Sequence, residues 1–454
     1  MTHSDGLPTP RRYLAILAIS CGTAVAVIDS AIVTVALPTI ARDLHVPSSS
    51  AVLLVSVYQL VLVMCLLPFS AIGDRIGHRR LFAYGLCAFL LSTVLCFFTR
   101  SLPFLVVVRA IQALGGAAAL SVNGAMLRGA YPASQLGRGL GINGVVVAAS
   151  AAIAPTIGGI VLGFAAWPWL FVFAVPFALL ALLLGHRTLP ATPPVKAPYD
   201  VLGALLCALT FGLTIAGTES LVHGDSPVVS LAIVAAGLII GTRFVRRELG
   251  ARLPILPVDL LKHRIVALSV LGATAAFCAS MTLLLSMPFR LQQVYGFTPT
   301  QVGMVIAPWP LAMMFSAPFA GALSDRVPAW ILGCIGMAFS LVAALLIARL
   351  PAAPTQLDIV WRMMLCGVGY GFFFASNARV IVGSAPRDRA ASAGAMIATT
   401  RLTGQTLGAT VFATLLHLNL GLDSTPALVA AVLALVAGIC SLSRINSGPV
   451  PSPR

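Results

Sequence analysis

The chain has very little charge. Only 9% of its 454 residues are Asp, Glu, Lys or Arg, whereas 59% are hydrophobic. A water-soluble domain carries about 25% charged residues, so this composition excludes an ordinary soluble enzyme or binding domain. The mean hydropathy of +0.99 indicates a protein that is embedded in a lipid bilayer.

Acidic residues are the scarcest charged type. There are 13 Asp and Glu against 28 Lys and Arg, which gives a formal net charge of +15. The basic residues stand in short clusters between apolar runs, and this is where Lys and Arg hold loops on the cytoplasmic side of a membrane. The distribution therefore argues against a nucleic-acid partner and for a multi-pass membrane protein.

Cysteine motifs are missing as well. All nine cysteines lie in apolar runs, and none forms a Cys-x-x-Cys pair or stands near a histidine cluster. This pattern gives no support to a metal site or a disulfide framework, and we interpret the cysteines as small buried hydrophobes. Because no nucleophile and base cluster appears either, the sequence predicts neither an enzyme nor a cofactor.

Long apolar runs make up most of the chain. A membrane-spanning helix needs roughly 20 apolar residues. We predict fourteen spans, at about 13–38, 51–72, 80–99, 102–127, 138–163, 167–186, 200–219, 227–245, 266–288, 303–323, 330–349, 358–382, 393–417 and 425–443. The first run follows Arg11 and Arg12, but it exceeds the 7–15 residues of a signal-peptide core, so we expect a retained helix.

The basic residues predict the orientation of these spans. With a cytoplasmic N-terminus, most of the 28 Lys and Arg residues fall on the cytoplasmic side, as they do in known membrane proteins. Both termini are therefore expected in the cytoplasm. The exceptions are Arg42, Arg100, Arg290 and Arg349 on the outer side, and Arg109, Arg362 and Arg401 within spans.

Two charged turns indicate an internal repeat. Residues 73–80 read Gly-Asp-Arg-Ile-Gly-His-Arg-Arg, residues 321–326 read Gly-Ala-Leu-Ser-Asp-Arg, and each stretch follows the second span of its half. Such repeats are typical of membrane carriers. We predict an all-α membrane protein with a six-helix bundle in 1–190, a linker helix pair in 191–250 and a second six-helix bundle in 251–454.

Several of these stretches resemble motifs of the major facilitator superfamily, and specifically of its fourteen-span drug:proton antiporter branch. Residues 28–38 are similar to the first-span signature of that branch, 109–115 to the fourth-span arginine motif, and 401–408 to a penultimate-span pattern. The first charged turn matches the superfamily's most specific signature, although Ser70 replaces its leading glycine; the matching residues are Asp74, Arg75, Gly77, Arg79 and Arg80. Residues 150–159 resemble the antiporter signature and keep Pro155, Gly158 and Gly159.

The resemblance implies a major facilitator fold with a central cavity that opens alternately to each side. It also implies a monomer in the bacterial inner or cytoplasmic membrane that exports small amphipathic organic compounds, such as drugs or antibiotics, in exchange for protons. Two alternatives remain open: an importer or uniporter of small organic solutes with the same fold, and a membrane receptor or scaffold that transports nothing.

Asp29 and Arg109 are the predicted proton-coupling residues. A carboxylate that faced lipid in mid-span would cost a few kcal/mol, so we expect Asp29 to face a cavity, where it can exchange a proton; a helix–helix hydrogen bond is the alternative. Arg109 needs a buried partner, and Asp29 or backbone carbonyls are the candidates. The resemblance implies that Arg109 influences protonation of the carboxylate, while a purely structural role remains open.

The other candidate residues serve conformational change and substrate binding. We expect the turn residues Asp74, Arg75, Gly77, Arg79, Arg80, Asp325 and Arg326 to act as latches that bias a two-state equilibrium. Pro155 removes a helix hydrogen bond, so with Gly158 and Gly159 it is a candidate hinge, although ordinary small-residue packing also explains these residues. Candidate cavity residues are Gln112, Tyr58 and Arg401.

Acidic residues also limit the predicted substrates. The later six spans have no acid near their centres, which favours neutral, zwitterionic or singly charged amphiphiles over dications. Glu219 and Asp225 are expected in water at the outer end of the linker pair.

Overall fold

The structure is a computed structural model that describes residues 6–132, 136–190, 200–222, 226–250, 258–324, 326–384 and 390–446. Within these ranges the chain forms α-helices, two short 3-10 helices and no β-strand. The α-helices are α1 (Thr9–Asp43), α2 (Ser48–Ile76), α3 (His78–Phe98), α4 (Leu102–Ser121), α5 (Asn123–Ala130), α6 (Leu136–Phe164), α7 (Trp169–Val172), α8 (Val175–Thr188), α9 (Val201–Val222), α10 (Pro227–Gly250), α11 (Arg264–Gln293), α12 (Pro299–Ile306), α13 (Pro308–Leu323), α14 (Ala329–Ala348), α15 (Gln356–Gly383), α16 (Ala390–His417) and α17 (Thr425–Leu442).

The described residues contain 12 helices that are long and apolar enough to cross a membrane. The predicted count of fourteen is therefore not supported. The two remaining predicted spans correspond to α6, whose apolar part is the shorter stretch Ala149–Phe164, and to α16. The second case has a clear physical reason, because α16 carries Arg401, Gln405 and several threonines that lower its hydropathy.

The helices before and after the linker pair pack as two groups. In the first group α1 contacts α2, α6 and α8, while α3 packs on α4. In the second group α11 contacts α15, α16 and α17, and α14 packs between α15 and α17. The linker helices α9 and α10 pack on each other, and α9 also contacts α2 and α16. The linker pair thus touches both halves.

Helix directions place both ends of the chain on one face. Late in α1 and α11, Gln292 Nε2 donates to the Val35 carbonyl at 3.2 Å, so these two helices run in parallel. Gly272, early in α11, lies beside Cys440 at the end of α17, so α17 returns to the face where α11 begins. We call this side the terminal face and the other side the opposite face.

The two halves are hydrogen-bonded to each other near the opposite face. Besides Gln292, Gln293 Nε2 donates to Ser48 Oγ at 3.3 Å, and Thr300 Oγ1 donates to the Gly159 carbonyl at 2.8 Å. Apolar side chains from the second part of α11, Leu285 and Phe289 among them, share one hydrophobic cluster with first-half residues such as Ile32 and Leu37. This conformation therefore brings the halves together at the opposite face.

Candidate functional site

A buried polar cluster joins α1, α3 and α4 in the first half. Arg109 Nη1 donates to Asp29 Oδ2 at 2.5 Å and to Gln112 Oε1 at 2.7 Å. Gln112 Nε2 in turn donates to Asp29 Oδ1 at 3.1 Å and to Thr93 Oγ1 at 2.9 Å. Both carboxylate oxygens of Asp29 are therefore bonded, and the ion pair is neutral as a whole.

Aromatic rings and a backbone carbonyl complete the surroundings of Arg109. Its guanidinium lies 4.2 Å from the centre of the Tyr58 ring and 5.6 Å from that of Phe171, distances at which a cation is attracted by the ring face. Nε donates to the Leu54 carbonyl at 3.4 Å. Sequence reasoning offered Asp29 or backbone carbonyls as partners for this arginine, and the structure contains both.

The cluster is closed to solvent in this conformation. The Asp29 and Arg109 side chains have no exposed surface, and the expectation that Asp29 faces a cavity is wrong for this state. Tyr58 and Gln112 are likewise fully buried, so neither of these two candidate cavity residues lines an open cavity here. The physical reason is that a buried arginine needs a carboxylate and hydrogen-bond acceptors as partners. The side chains that supply these partners also shield the guanidinium from solvent.

Arg401 differs from Arg109 in both exposure and partners. It lies on α16 and is partly exposed, and the hydrogen bond recorded for it runs from Nη1 to Gln405 Oε1 at 3.5 Å. Among the described residues it forms no ion pair. Of the three candidate cavity residues, Arg401 is the one that is partly exposed in this conformation.

The first charged turn connects α2 to α3 at the terminal face. Gly77 ends α2 with φ +95°, a conformation that L-residues with a Cβ rarely adopt, which explains the glycine of the motif. Asp74 is exposed and lies 2.8 Å from His78 Nε2 in the same turn. Arg75 and Arg80 are also exposed, whereas Arg79 is partly buried. The recorded partner of Asp74 is thus local, and a latch role for this turn stays a prediction.

The second charged turn is described only in part. Asp325 lies outside the described residues, while Arg326 is exposed. The adjacent Ser324 Oγ accepts a hydrogen bond from Arg379 Nη1 of α15 at 2.6 Å. A latch role for Arg326 stays a prediction too.

The candidate hinge residues lie where the halves approach each other closely. A Cβ on Gly159 would stand 2.5 Å from the Pro299 carbonyl oxygen, and one on Gly158 would stand 3.0 Å from the Ile32 side chain. Thr156, one residue after Pro155, donates to the Gly303 carbonyl at 3.5 Å. Helix α6 continues through Pro155 to Phe164, so the observed role of these residues is close packing of α6 on α1 and α12.

Glu219 was misplaced by sequence reasoning. It is buried on α9 and accepts a hydrogen bond from Thr410 Oγ1 of α16 at 2.7 Å, so the expectation that it lies in water is wrong. Asp225 falls outside the described residues. The available signal was the position of Glu219 inside an apolar run, because an acid in a membrane span is buried in the protein by default.

In the described part of the chain, no group of three or more His, Cys, Asp or Glu side chains is placed to hold a metal ion. The buried ionisable residues Asp29, Arg109 and Glu219 instead lie in helix–helix contacts.

Comparison with known families identifies the architecture. The family model described as "Major Facilitator Superfamily" matches residues 19–409. The chain belongs to the major facilitator superfamily. It is accordingly a multi-pass membrane transporter of small molecules and not an enzyme.

Superfamily relatives match over most of their length. The chain is 43% identical over 448 residues to the uncharacterized transporter YebQ of Escherichia coli strain K12, with 98% of each chain covered. It is 28% identical to the riboflavin transporter RibZ of Clostridioides difficile, with 88% of each chain covered. It is 29% identical to the tetracenomycin C resistance and export protein of Streptomyces glaucescens, with 92% of this chain and 78% of that protein covered.

A solved structure has the same fold. It is a bacterial homologue of the human lysosomal transporter Spinster in an inward-facing, unoccupied conformation. The TM-score is 0.70 at 17% identity, with 98% of this chain and 100% of that chain covered.

Proposed function

We propose that this protein is a proton-coupled exporter of small amphipathic organic compounds. The observation that carries the proposal is the buried Asp29–Arg109 pair, whose charge state a proton changes. The 29% identity to a resistance and export protein supports the direction of transport. One proton that moves down 100 mV supplies about 2.3 kcal/mol, enough for an about fiftyfold concentration ratio.

Protonation of Asp29 is the coupling step in this proposal. The carboxylate balances Arg109 across the 2.5 Å contact, and a proton on Asp29 removes that balance. A buried, uncompensated guanidinium is costly, so the protonated cluster favours a state in which Arg109 reaches other acceptors or water. Proton binding thereby biases the protein between two conformations, which is the requirement for coupling.

The proposed conformational change is alternating access between two bundles, 1–190 and 251–454, with the linker pair 191–250 between them. In support, the hydrogen bonds between the halves lie near the opposite face. The recorded partner of Asp74 at the terminal face belongs to its own turn. We assign the terminal face to the cytoplasm because of the Lys and Arg distribution, so in this conformation the halves are hydrogen-bonded to each other near the proposed outer face.

The experiment compares driven and undriven transport in proteoliposomes. Dye or drug accumulation under an imposed pH gradient reports proton coupling, and exchange of labelled against unlabelled substrate without a gradient reports binding and conformational change. We expect Asp29→Asn to abolish gradient-driven accumulation and to retain exchange. Asp43→Asn, which changes an exposed carboxylate on the same helix, is the matched control and is expected to behave as the wild type. Full gradient-driven accumulation by Asp29→Asn would contradict the proposal.

Import or uniport is the second candidate, and the 28% identity to a riboflavin transporter keeps it open. Inside-out vesicles distinguish the two directions. When such vesicles are acidified within, an exporter accumulates substrate in the lumen. A uniporter only equilibrates it, and this result would favour the second candidate.

A further inference from the structure

Four aromatic rings of the second half form a continuous stack. Trp309 and Tyr370 have ring centres 5.5 Å apart and planes 3° from parallel. Tyr370 and Phe374 follow at 5.6 Å and 18°, and Phe374 and Phe277 at 3.9 Å and 10°. The stack begins at the fully buried Tyr370 and Trp309 pair and ends at Phe374 and Phe277, which are both partly exposed.

The exposed end of the stack faces the first half of the protein. On α11, Phe277 lies on one helical stripe with Ser280 and Leu284, and all three are partly exposed. Leu284 packs against two core clusters, each of which contains residues of both halves, so this stripe lies where the halves meet. Phe277 lies about two turns nearer the terminal face, where the hydrogen bonds between the halves have ended. It is therefore exposed toward the space between the halves.

Arg401 lies about one helical turn before the α16 residue that packs on Phe277. Gly404, one turn further along α16, packs directly on α11, because a Cβ there would lie 2.6 Å from the Phe277 Cβ. Arg401 is partly exposed, and its recorded hydrogen bond, to Gln405, is long at 3.5 Å. The site thus combines a flat apolar surface with a cation that no described carboxylate neutralises. Asp29 does not balance it, because that carboxylate is already paired with Arg109.

We propose that Phe277, Phe374 and Arg401 form the substrate site of this transporter, and that the site takes planar aromatic compounds that carry an anionic group. The proposal rests on the proposed transport function and names its substrate class. A planar ring system stacks on Phe277 and Phe374, whose orientation is fixed by the two rings behind them, so little ordering is needed on binding. The anionic group pairs with Arg401, and a dication is repelled by it.

The test measures binding by the purified full-length protein, without any transport step. Fluorescein serves as the planar anion, ethidium as a planar monocation, methyl viologen as a dication and cholate as a non-planar anion. We expect fluorescein to bind at least about tenfold more tightly than the other three. Phe277→Leu and Phe374→Leu keep apolar volume but remove the flat ring, and each should weaken fluorescein binding about five- to tenfold.

Matched variants separate the site from general effects on folding. Phe315→Leu changes an exposed aromatic residue of α13 outside the stack and should leave fluorescein affinity unchanged. Phe374→Tyr keeps the ring and should bind within about twofold of the wild type. Arg401→Gln should remove the preference for fluorescein over ethidium, and Arg401→Lys should retain most of it. Thermal melting of every variant checks that the fold is intact.

Two results overturn the inference. The first is unchanged fluorescein affinity in folded Phe277→Leu and Phe374→Leu. The second is wild-type protein that binds methyl viologen or cholate as tightly as fluorescein. Failure of the proposed function looks different: fluorescein then binds with the expected variant effects, while proteoliposomes show no proton-driven movement of any compound.

Discussion

Arg109 and Asp29, which are 80 residues apart in sequence, meet at 2.5 Å between α4 and α1 with no surface exposed on either side chain. The pair is held by Gln112, which accepts from the arginine and donates to the carboxylate. These hydrogen bonds stabilise the ionised carboxylate of Asp29. Protonation of that carboxylate therefore weakens the contacts that hold α1 and α4 together.

The first prediction concerns the stability of this pair. Asp29→Asn or Arg109→Gln alone leaves one buried charge without its partner, and each should lower the free energy of unfolding by about 3–5 kcal/mol. The double variant removes both charges and should cost clearly less than the sum of the single changes. Thermal unfolding in detergent measures the series. Additive losses would show that the two side chains are not energetically coupled.

The second prediction concerns close packing of α6 on α12. Gly159→Val places a side chain where a Cβ alone would stand 2.5 Å from the Pro299 carbonyl, so the opposite face should no longer close. Ser280→Cys reports this change, because residue 280 lies on the partly exposed stripe of α11. We expect an impermeant maleimide to label it faster from the opposite face in the Gly159→Val protein than in the wild type.

Gly321→Val is the matched control for that experiment, since a Cβ at Gly321 meets open space. The same labelling of proteins without the added cysteine corrects for the native thiols. If Gly159→Val and Gly321→Val label alike, contact between α6 and α12 does not govern closure of the opposite face.

The third prediction concerns the linker helix. Thr410→Val removes the hydroxyl that donates to Glu219 at 2.7 Å and should lower the free energy of unfolding by about 0.5–1.5 kcal/mol, the range for a typical intramolecular hydrogen bond. Thr414→Val is the control, because the Thr414 hydroxyl donates to a carbonyl of its own helix. Chemical denaturation in mixed micelles compares the two, and equal losses would mean that α9 gains nothing from this contact.

The fourth prediction concerns the charged turn after α2. Gly77→Ala forces a Cβ into a backbone with φ +95° and should cost about 1–3 kcal/mol. Gly321→Ala, in the corresponding stretch of the second half, introduces its Cβ into open space and should cost much less. The difference between the two melting temperatures is the measurement. A Gly77→Ala protein as stable as Gly321→Ala would show that the turn adapts without strain.

Sequence reasoning was effective where a chemical requirement is local. Close packing by small residues, one of the two interpretations of Gly158 and Gly159, is what the structure shows, and Arg109 has the buried partner that the cost of a buried charge requires. Gly77 was named only as part of a motif, and its φ of +95° is a finding of the structure. The same reasoning named Gln112 and Tyr58 as candidate cavity residues, and that role stays a prediction. Both are buried around Arg109, and only side-chain packing between separate helices could show this.

Hydropathy had a similar limit. It predicted fourteen spans, of which the described residues support twelve. It also placed Glu219 in water, although that side chain is buried against α16. Mean hydropathy averages over all faces of a helix. Polar residues that are buried against other helices lower this average, although they are not exposed to lipid or water.

The sequence by itself determined that the chain is embedded in a membrane and that it is built from apolar helices. Composition and motif spacing fix these properties because lipid imposes the same cost on every exposed polar group. Only the tertiary structure decided which groups meet: Asp29 with Arg109, Glu219 with Thr410, and four aromatic rings in one stack. Those contacts join helices that are distant in sequence, and their geometry depends on how the helices pack rather than on any single segment.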